Sequence, residues 1–292
     1  MKKFILVYNP LSGDASFKHR LDNVIEYLRA CRCFVMPIRT VQKEDTRSFI
    51  HLAREIDADG IIVAGGDGTL HEVVNAMLKA SIFLPIGIIP TGTCNDFSAH
   101  LGIDSDIERC CQTIIGGRTR AVDLGKVNQQ FFLNVASAGL FTSVAHKAEG
   151  PLKSTMGKMA YYLKGLGQLP NFNAYKMKIC ADETVIEDEI LLFLVMNSGI
   201  IGSFPKLAPF ARTDDGKLDL LIVHKCSLSE LMALLVRIVA GNLTSQKHVT
   251  YLQAASITIT CDQSVESDLD GELGPNLPLA ISVLPGGVEI YI

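Results

Sequence analysis

Three glycines and one carboxylate within five residues, Gly65-Gly66-Asp67-Gly68-Thr69, are the chemically most informative stretch of this chain. Glycines let a backbone pass close to a ligand. The preceding run Ile61-Ile62-Val63-Ala64 is short, apolar and β-branched, which reads as a buried strand. Beyond the turn, Leu70, Val73, Val74, Met77 and Leu78 recur on one face of a helix, with Thr69 as its expected N-cap. A helix N-terminus behind such a turn offers unpaired N–H groups and partial positive charge, which suit phosphate. The stretch is neither the lysine-bearing P-loop nor the GxGxxG dinucleotide fingerprint. Asp67 repels phosphate unless a divalent cation or a substrate hydroxyl lies between them. The plainer alternative is a tight turn whose Asp caps the helix.

Two further polar, glycine-bearing loops follow apolar runs: Asn9-Pro10-Leu11-Ser12-Gly13 after Phe4–Tyr8, and Thr91-Gly92-Thr93-Cys94-Asn95-Asp96 after Leu84–Ile89. More carboxylates stand at Asp123, in Asp268-Leu269-Asp270-Gly271-Glu272, and in the turn Asp214-Asp215-Gly216-Lys217. Phosphoryl transfer needs held phosphates, Mg²⁺, and a group that takes the acceptor's proton; Mg²⁺ takes oxygen ligands. The two Asp-Gly stretches also read as ordinary turns into strands. HExxH is absent, and no Ser/His/Asp triad is legible; His71 sits one turn into the central helix, while His19, His51 and His100 have no spaced partners.

The elements that must position these residues alternate at first. Strands are expected at Phe4–Tyr8, Cys33–Thr40, Ile61–Ala64 and Leu84–Ile89, and helices at Arg20–Ala30, Asp45–Ile56, after Thr69, and at Ser105–Ile115. Such alternation means βαβ units around a parallel sheet with helices on both faces, whose ligands bind beyond the strands' C-terminal ends. The three loops converge at that edge, which favours a nucleotide site. From about Arg118 the pattern changes. Short strands are expected at Ala121–Val127, Phe131–Ala136, Tyr175–Cys180, Ile190–Met196, Leu218–His224, Ser256–Cys261, Leu279–Leu284 and Val288–Ile292. They are interrupted by a helical patch near Phe141–Leu166 and a helix at Ser229–Val239, and they read as an antiparallel β-sandwich. The expected domains are 1–120 and 121–292.

Bulk properties exclude several classes. A chain of 292 residues that is 48% hydrophobic can build one large core or two. Mean hydropathy is high at +0.26, yet no uncharged apolar run of about 18 residues marks a membrane span. No signal peptide is visible. A net charge of −4 argues against a nucleic-acid partner. The eight scattered cysteines lack CxxC spacing, pointing to a reducing cytoplasm without disulfides or structural zinc.

Taken in order, Asn-Pro-x-Ser-Gly, GGDGT, Gly-Thr-x-Asn-Asp-Phe and the C-terminal Asp-x-Asp-Gly-Glu resemble the diacylglycerol kinase catalytic family, most closely its soluble bacterial lipid kinases, over essentially the whole chain. NAD kinases share GGDGT alone. The resemblance implies an α/β nucleotide-binding domain followed by a β-sandwich, with ATP and lipid meeting in the cleft. It implies a nucleotide site lined by Asn9, Pro10, Ser12, Gly13, Thr40, Gly65, Gly66, Asp67, Gly68, Thr69, Glu72, Thr93, Asn95 and Asp96. It places Asp67, Asp96 and Asp123 around magnesium and ordered water, and makes Glu272 the proton acceptor with Asp270 as its rival. It also implies a structural Mg²⁺ at Asp215, with Lys217 contributing by its backbone carbonyl and the ligand at Arg212 either lost or supplied by backbone. Two departures stand out: Asp14, where some relatives have a lysine, and Arg212, where some have a carboxylate.

The expected protein is thus an ATP- and Mg²⁺-dependent cytoplasmic lipid kinase, peripheral at the inner membrane surface, acting most readily on diacylglycerol, with a homodimer possible. The lysines Lys147, Lys153, Lys158 and Lys164 form a candidate membrane-facing patch or a solvated helix face. A kinase of a soluble acceptor such as NAD, and a nucleotide-binding regulator without turnover, are the alternatives.

Overall fold

The computed structural model describes residues 1–40, 46–140, 174–204, 207–239 and 247–292. They form two compact units, Met1–Asp123 with Gly286–Ile292, and Leu124–Pro285. Cα packing thus places the division after Asp123, against an expected boundary at 120, and returns the last seven residues to the first unit. The expected helical patch at Phe141–Leu166 lies outside the described residues.

In the first unit, β1 (Lys3–Tyr8), β2 (Phe34–Arg39), β3 (Gly60–Gly65) and β4 (Ile86–Pro90) form a parallel sheet in the order β4-β3-β1-β2. Every residue of β3 is buried, as an unbroken apolar run in a sheet covered on both sides requires. Helices α1 (Leu21–Ala30) and α5 (Ile107–Gly116) share a core with Phe4 and Leu6 through Val24, Leu28, Cys110, Cys111 and Ile114. Helices α2 (Thr46–Glu55) and α3 (Asp67–Lys79) pack on each other and against β1 and β3. From β1 the chain steps to β2 on one side; from β3 it steps to β4 on the other. The order therefore reverses between β1 and β3, where open α/β sheets bind ligands.

The second unit is antiparallel. It takes in the end of β5 (Thr119–Val127), then β6 (Gln130–Phe132), β7 (Val135–Gly139), β8 (Tyr175–Ala181), β9 (Thr184–Met196) and β10 (Leu218–His224). A short helix, α4 (Asp96–Leu101), belongs to the first unit; α6 (Leu228–Val239) follows β10 here. The remaining strands are β11 (Val249–Ala254), β12 (Ser256–Cys261), β13 (Ser267–Leu269), β14 (Glu272–Leu273) and β15 (Leu279–Tyr291), whose last residues lie in the first unit. Strand β9 pairs with β8 through its first half, and with β7 and β10 on opposite edges through its second. Alternation divides its faces: Phe193 and Val195 enter the main core with Leu220, Ile222, Ile257 and Ile281, whereas Leu192 and Met196 join Leu221, Val223 and α6. The Nδ1 of His224 meets Asp188 Oδ2 at 2.9 Å and its Nε2 meets Thr250 Oγ1 at 2.8 Å, fastening β9, β10 and β11 together. This Asp-His-Thr chain was invisible in sequence because its partners lie on three strands.

Other differences have local causes. The expected strand Phe131–Ala136 is two strands, interrupted at Leu133-Asn134. The last two expected strands are one, because β15 runs through Pro285-Gly286-Gly287. Helix α4, β11, and the β13–β14 hairpin are too short or too polar to register as periodic segments.

Candidate functional site

The three loops of the first unit touch one another. Asn9 N donates to Ala64 O at 3.2 Å and Thr91 N to Gly65 O at 3.0 Å. A Cβ added to Gly92 would stand 2.3 Å from the Gly66 Cα, so these two loops pack backbone to backbone. A Cβ on Gly13, at φ +60°, would stand 2.2 Å from Thr91 O. No other residue type tolerates these approaches.

Helix α3 begins at Asp67, with Gly66 as its cap. The expected N-cap, Thr69, lies inside the helix and is buried. Asp67 instead caps a different helix. Its Oδ2 accepts from Asp96 N at 3.1 Å and its Oδ1 from Phe97 N at 3.0 Å, so one carboxylate satisfies the first N–H groups of α4. Asn95, in the left-handed region at φ 55°, precedes α4 and shapes the loop. Its Oδ1 accepts from Gly92 N at 2.8 Å, and its Nδ2 donates to Gly92 O at 2.9 Å.

The remaining predicted residues divide into exposed and structural. Gly68 and Thr93 are exposed, Ser12 and Glu72 half-buried, and Gly65 and Pro10 buried. Asn9 Oδ1 accepts from Leu11 N at 2.9 Å, an Asx turn that closes the first loop. Thr40 is 3% exposed and its hydroxyl donates to Tyr8 O at 3.3 Å, so it closes the β1–β2 edge. Asp14 Oδ1 accepts from Ser16 N at 3.0 Å; the Ser16 hydroxyl first, and this backbone contact second, hold its carboxyl below the usual range. Thr91, read in sequence only as the start of the third loop and not as a site residue, has a buried Oγ1 with no hydrogen-bond partner among the described residues. An orphaned hydroxyl between glycine loops fits a phosphate oxygen, and only the neighbouring motif could have drawn attention to it.

Asp67 and Asp96 are adjacent, which fits the one or two carboxylates that bind Mg²⁺ together with substrate phosphate and water. Asp123, 4% exposed, has an anchoring contact as well: its Oδ1 accepts from Gly286 N at 2.8 Å. Among the described residues, no three His, Cys, Asp or Glu are grouped as a protein-only metal cage. In the turn at 212–217, Arg212 Nε lies 3.1 Å from Asp214 Oδ1, and Asp215 Oδ1 accepts from Lys217 N at 3.0 Å. The guanidinium thus pairs with Asp214, not with Asp215, the expected ligand.

In the second unit, Asp268–Leu273 is a hairpin. Leu269 opposes Glu272, and Asp270 and Gly271 take φ 54° and 92°. Positive φ at both central residues is the two-residue hairpin geometry that Asp-Gly favours. Both oxygens of Asp270 are engaged: Oδ2 accepts from Leu133 N at 2.7 Å, and Oδ1 from Asn134 N at 2.8 Å and Val135 N at 2.9 Å. This argues against Asp270 as the rival proton acceptor, because it is a fastening group. Glu272 is half-buried at the start of β14, on the same face as Leu269.

Two measurements test these placements. Asp67→Asn puts an amide N–H₂ against a backbone N–H, and it is expected to lower stability by about 1–2 kcal/mol without any nucleotide present. A urea titration of the unliganded chain checks this; an unchanged midpoint would mean that the cap does not matter. At the far end of α4, burial and then Arg120 push the His100 pKa down from 6.5. A histidine whose folded pKa is depressed contributes full stability above its unfolded pKa and loses it as pH falls below that value. His100→Gln should therefore shrink the drop in urea midpoint between about pH 7.5 and about pH 5.

The chain matches the family description "Diacylglycerol kinase catalytic domain" over residues 3–127 and "YegS C-terminal NAD kinase beta sandwich-like domain" over residues 134–292. It is 36% identical to a diacylglycerol kinase of Bacillus subtilis over 282 residues, covering 95% of this chain and 92% of that protein. It is likewise 36% identical to a diacylglycerol kinase of Staphylococcus epidermidis over 290 residues, covering 99% and 92%. A crystal structure of a Bacillus anthracis diacylglycerol kinase superposes with a TM-score of 0.78 at 27% identity, covering 99% of this chain and 96% of that one. The parallel α/β unit with its three interlocked glycine loops, the antiparallel unit that follows, and these full-length likenesses together show that the chain belongs to the diacylglycerol kinase family and is a kinase.

Proposed function

We propose that this kinase transfers the γ-phosphoryl group of ATP to the hydroxyl of a neutral lipid, diacylglycerol above others, giving phosphatidate and ADP. The interlocking of Gly13, Gly66 and Gly92 at the carboxyl ends of β1, β3 and β4 carries the nucleotide part of the reading. It leaves exposed backbone at Gly68 and Thr93, the buried Thr91 hydroxyl, and the N-terminus of α3 as phosphate-binding groups. Magnesium, held through Asp67 and Asp96, would supply charge neutralisation on the transferred phosphoryl group.

The acceptor hydroxyl oxygen attacks γ-phosphorus, the bond from phosphorus to the β-bridging oxygen breaks, and ADP departs. The hydroxyl proton passes to the Glu272 carboxylate. An ionised glutamate is a weak base, so transfer to it is late, when the attacking oxygen has become acidic. Among the described residues no helix is long and apolar enough to cross a membrane, which suits an enzyme that meets its lipid at the cytoplasmic membrane surface.

The test is ADP release from Mg-ATP with diacylglycerol in mixed micelles, beside NAD as acceptor. NAD is included because the second unit's family is described as NAD kinase-like. Lipid-dependent release supports the reading, and release with NAD alone replaces it. Binding of ATP without release with either acceptor points to a regulator. Glu272→Gln should keep ATP binding and lose about 10²–10⁴-fold in kcat, the usual contribution of a positioned base. Near-normal turnover would remove Glu272 from the mechanism.

A further inference from the structure

The hairpin that carries Glu272 is tied to a buried polar cluster with no part in the scheme above. Strand β7 lies between β13 and β9, pairing Ala136 with Leu269 and Val135 with Met196. Just before β7 begins, Leu133 and Asn134 are gripped from both sides. From the β13 side, Asp270 accepts their two N–H groups. From the β9 side, Asn197 N donates to Asn134 O at 2.8 Å, and Asn197 Nδ2 donates to Leu133 O at 2.9 Å. Ser198 Oγ completes the grip, with Asn134 Oδ1 at 2.7 Å and Ile200 O at 3.1 Å. Asn134, Asn197 and Ser198 are 5%, 1% and 0% exposed.

Burying three such side chains beside the apolar core is costly unless each is satisfied. What they hold is the anchor of Asp270, and Asp270 is two residues from Glu272 across the tight turn. The links run from Ser198 and Asn197 to residues 133–134, from there to the Asp270 carboxylate, and through Gly271 to Glu272. We infer that Asn197, Ser198 and Asn134 are positioning residues that fix where the Glu272 carboxylate meets the acceptor hydroxyl. The inference rests on the kinase reading and adds to it residues that touch neither nucleotide nor lipid. A positioned base tolerates little displacement, since about 1 Å of misplacement can cost about a hundredfold in rate.

The experiment is a double-mutant cycle on the full chain, read as kcat with diacylglycerol and as KM for Mg-ATP. Asn197→Leu keeps the branching but removes the amide; Ser198→Ala removes a single oxygen and guards against a chain that fails to fold. Ser198→Ala is expected to lower kcat about tenfold with the KM for Mg-ATP unchanged. In a Glu272→Gln background it should have no further effect, because the group it positions is already gone. Two results overturn the inference: Ser198→Ala at full kcat, or the same loss of rate in both backgrounds, as a merely structural role would give. If the parent chain shows no lipid-dependent turnover, the kinase reading fails and the inference fails with it. Parent turnover with additive losses removes the inference alone.

Discussion

The first unit depends on one carboxylate. Two of its glycine loops meet with no side chain between them, Gly66 against Gly92, so they touch through backbone alone. Asp67 supplies what the glycines cannot. Seated in the first turn of α3, it reaches to the N-terminus of α4 and accepts both leading N–H groups. The bond joins the loop after β3 to the loop after β4, and it turns the N-termini of two helices toward one region. Helix α4, only six residues long, draws on this cap together with its buried Phe97, because so short a helix is marginal without capping or tertiary support. The repulsion between Asp67 and an incoming phosphate is the cost of this arrangement. In the proposed reaction, a divalent ion held with Asp96 would offset that repulsion.

The same device recurs away from the nucleotide loops. Asp270 accepts three backbone N–H groups at the start of β7; Asp123 accepts from Gly286 where β15 re-enters the first unit; Asp182 accepts from Ala255 and Ser256. Each is an aspartate in or beside an irregular stretch, satisfying N–H groups that a ladder or helix cannot. A carboxylate bonded to N–H is a strong, directional fastening. It joins segments far apart in sequence at points where apolar packing is thin.

That recurrence explains what the sequence could and could not disclose. The parallel unit was legible because long apolar runs at strand and helix periods carry their own signal: β1, β3, α3 and α5 stand within a few residues of expectation. The loops were legible as places of close backbone approach, because that is what clustered glycines permit. The roles of the acids were not. Asp67, Asp123 and Asp270 carry the same residue type whether they cap, fasten or react, and their partners lie 29 to 163 residues away. Thr40 and Asn95, expected at the ligand, each have a backbone contact that spacing does not reveal. Thr91 was overlooked because an orphaned hydroxyl is a property of packing, not of spacing. Asn134, Asn197 and Ser198 fell between or at the ends of strand patterns, where a sequence reader sees only loop.

The hairpin at the C-terminal motif shows why a turn can be both ordinary and functional. Asp-Gly at positive φ is what a two-residue hairpin demands, and that demand fixes register. A slip of one residue would carry Glu272 to the opposite face and put Leu273 beside the core. The turn cannot slip while Asp270 holds three N–H groups of the neighbouring strand. The second acid of the motif is therefore the reason the third has a defined position. Of the three, Asp268 accepts from Gly271 N inside the turn and Asp270 accepts from outside it. Glu272, set beside Leu269 and followed by an exposed leucine, is the acid whose placement the other two determine.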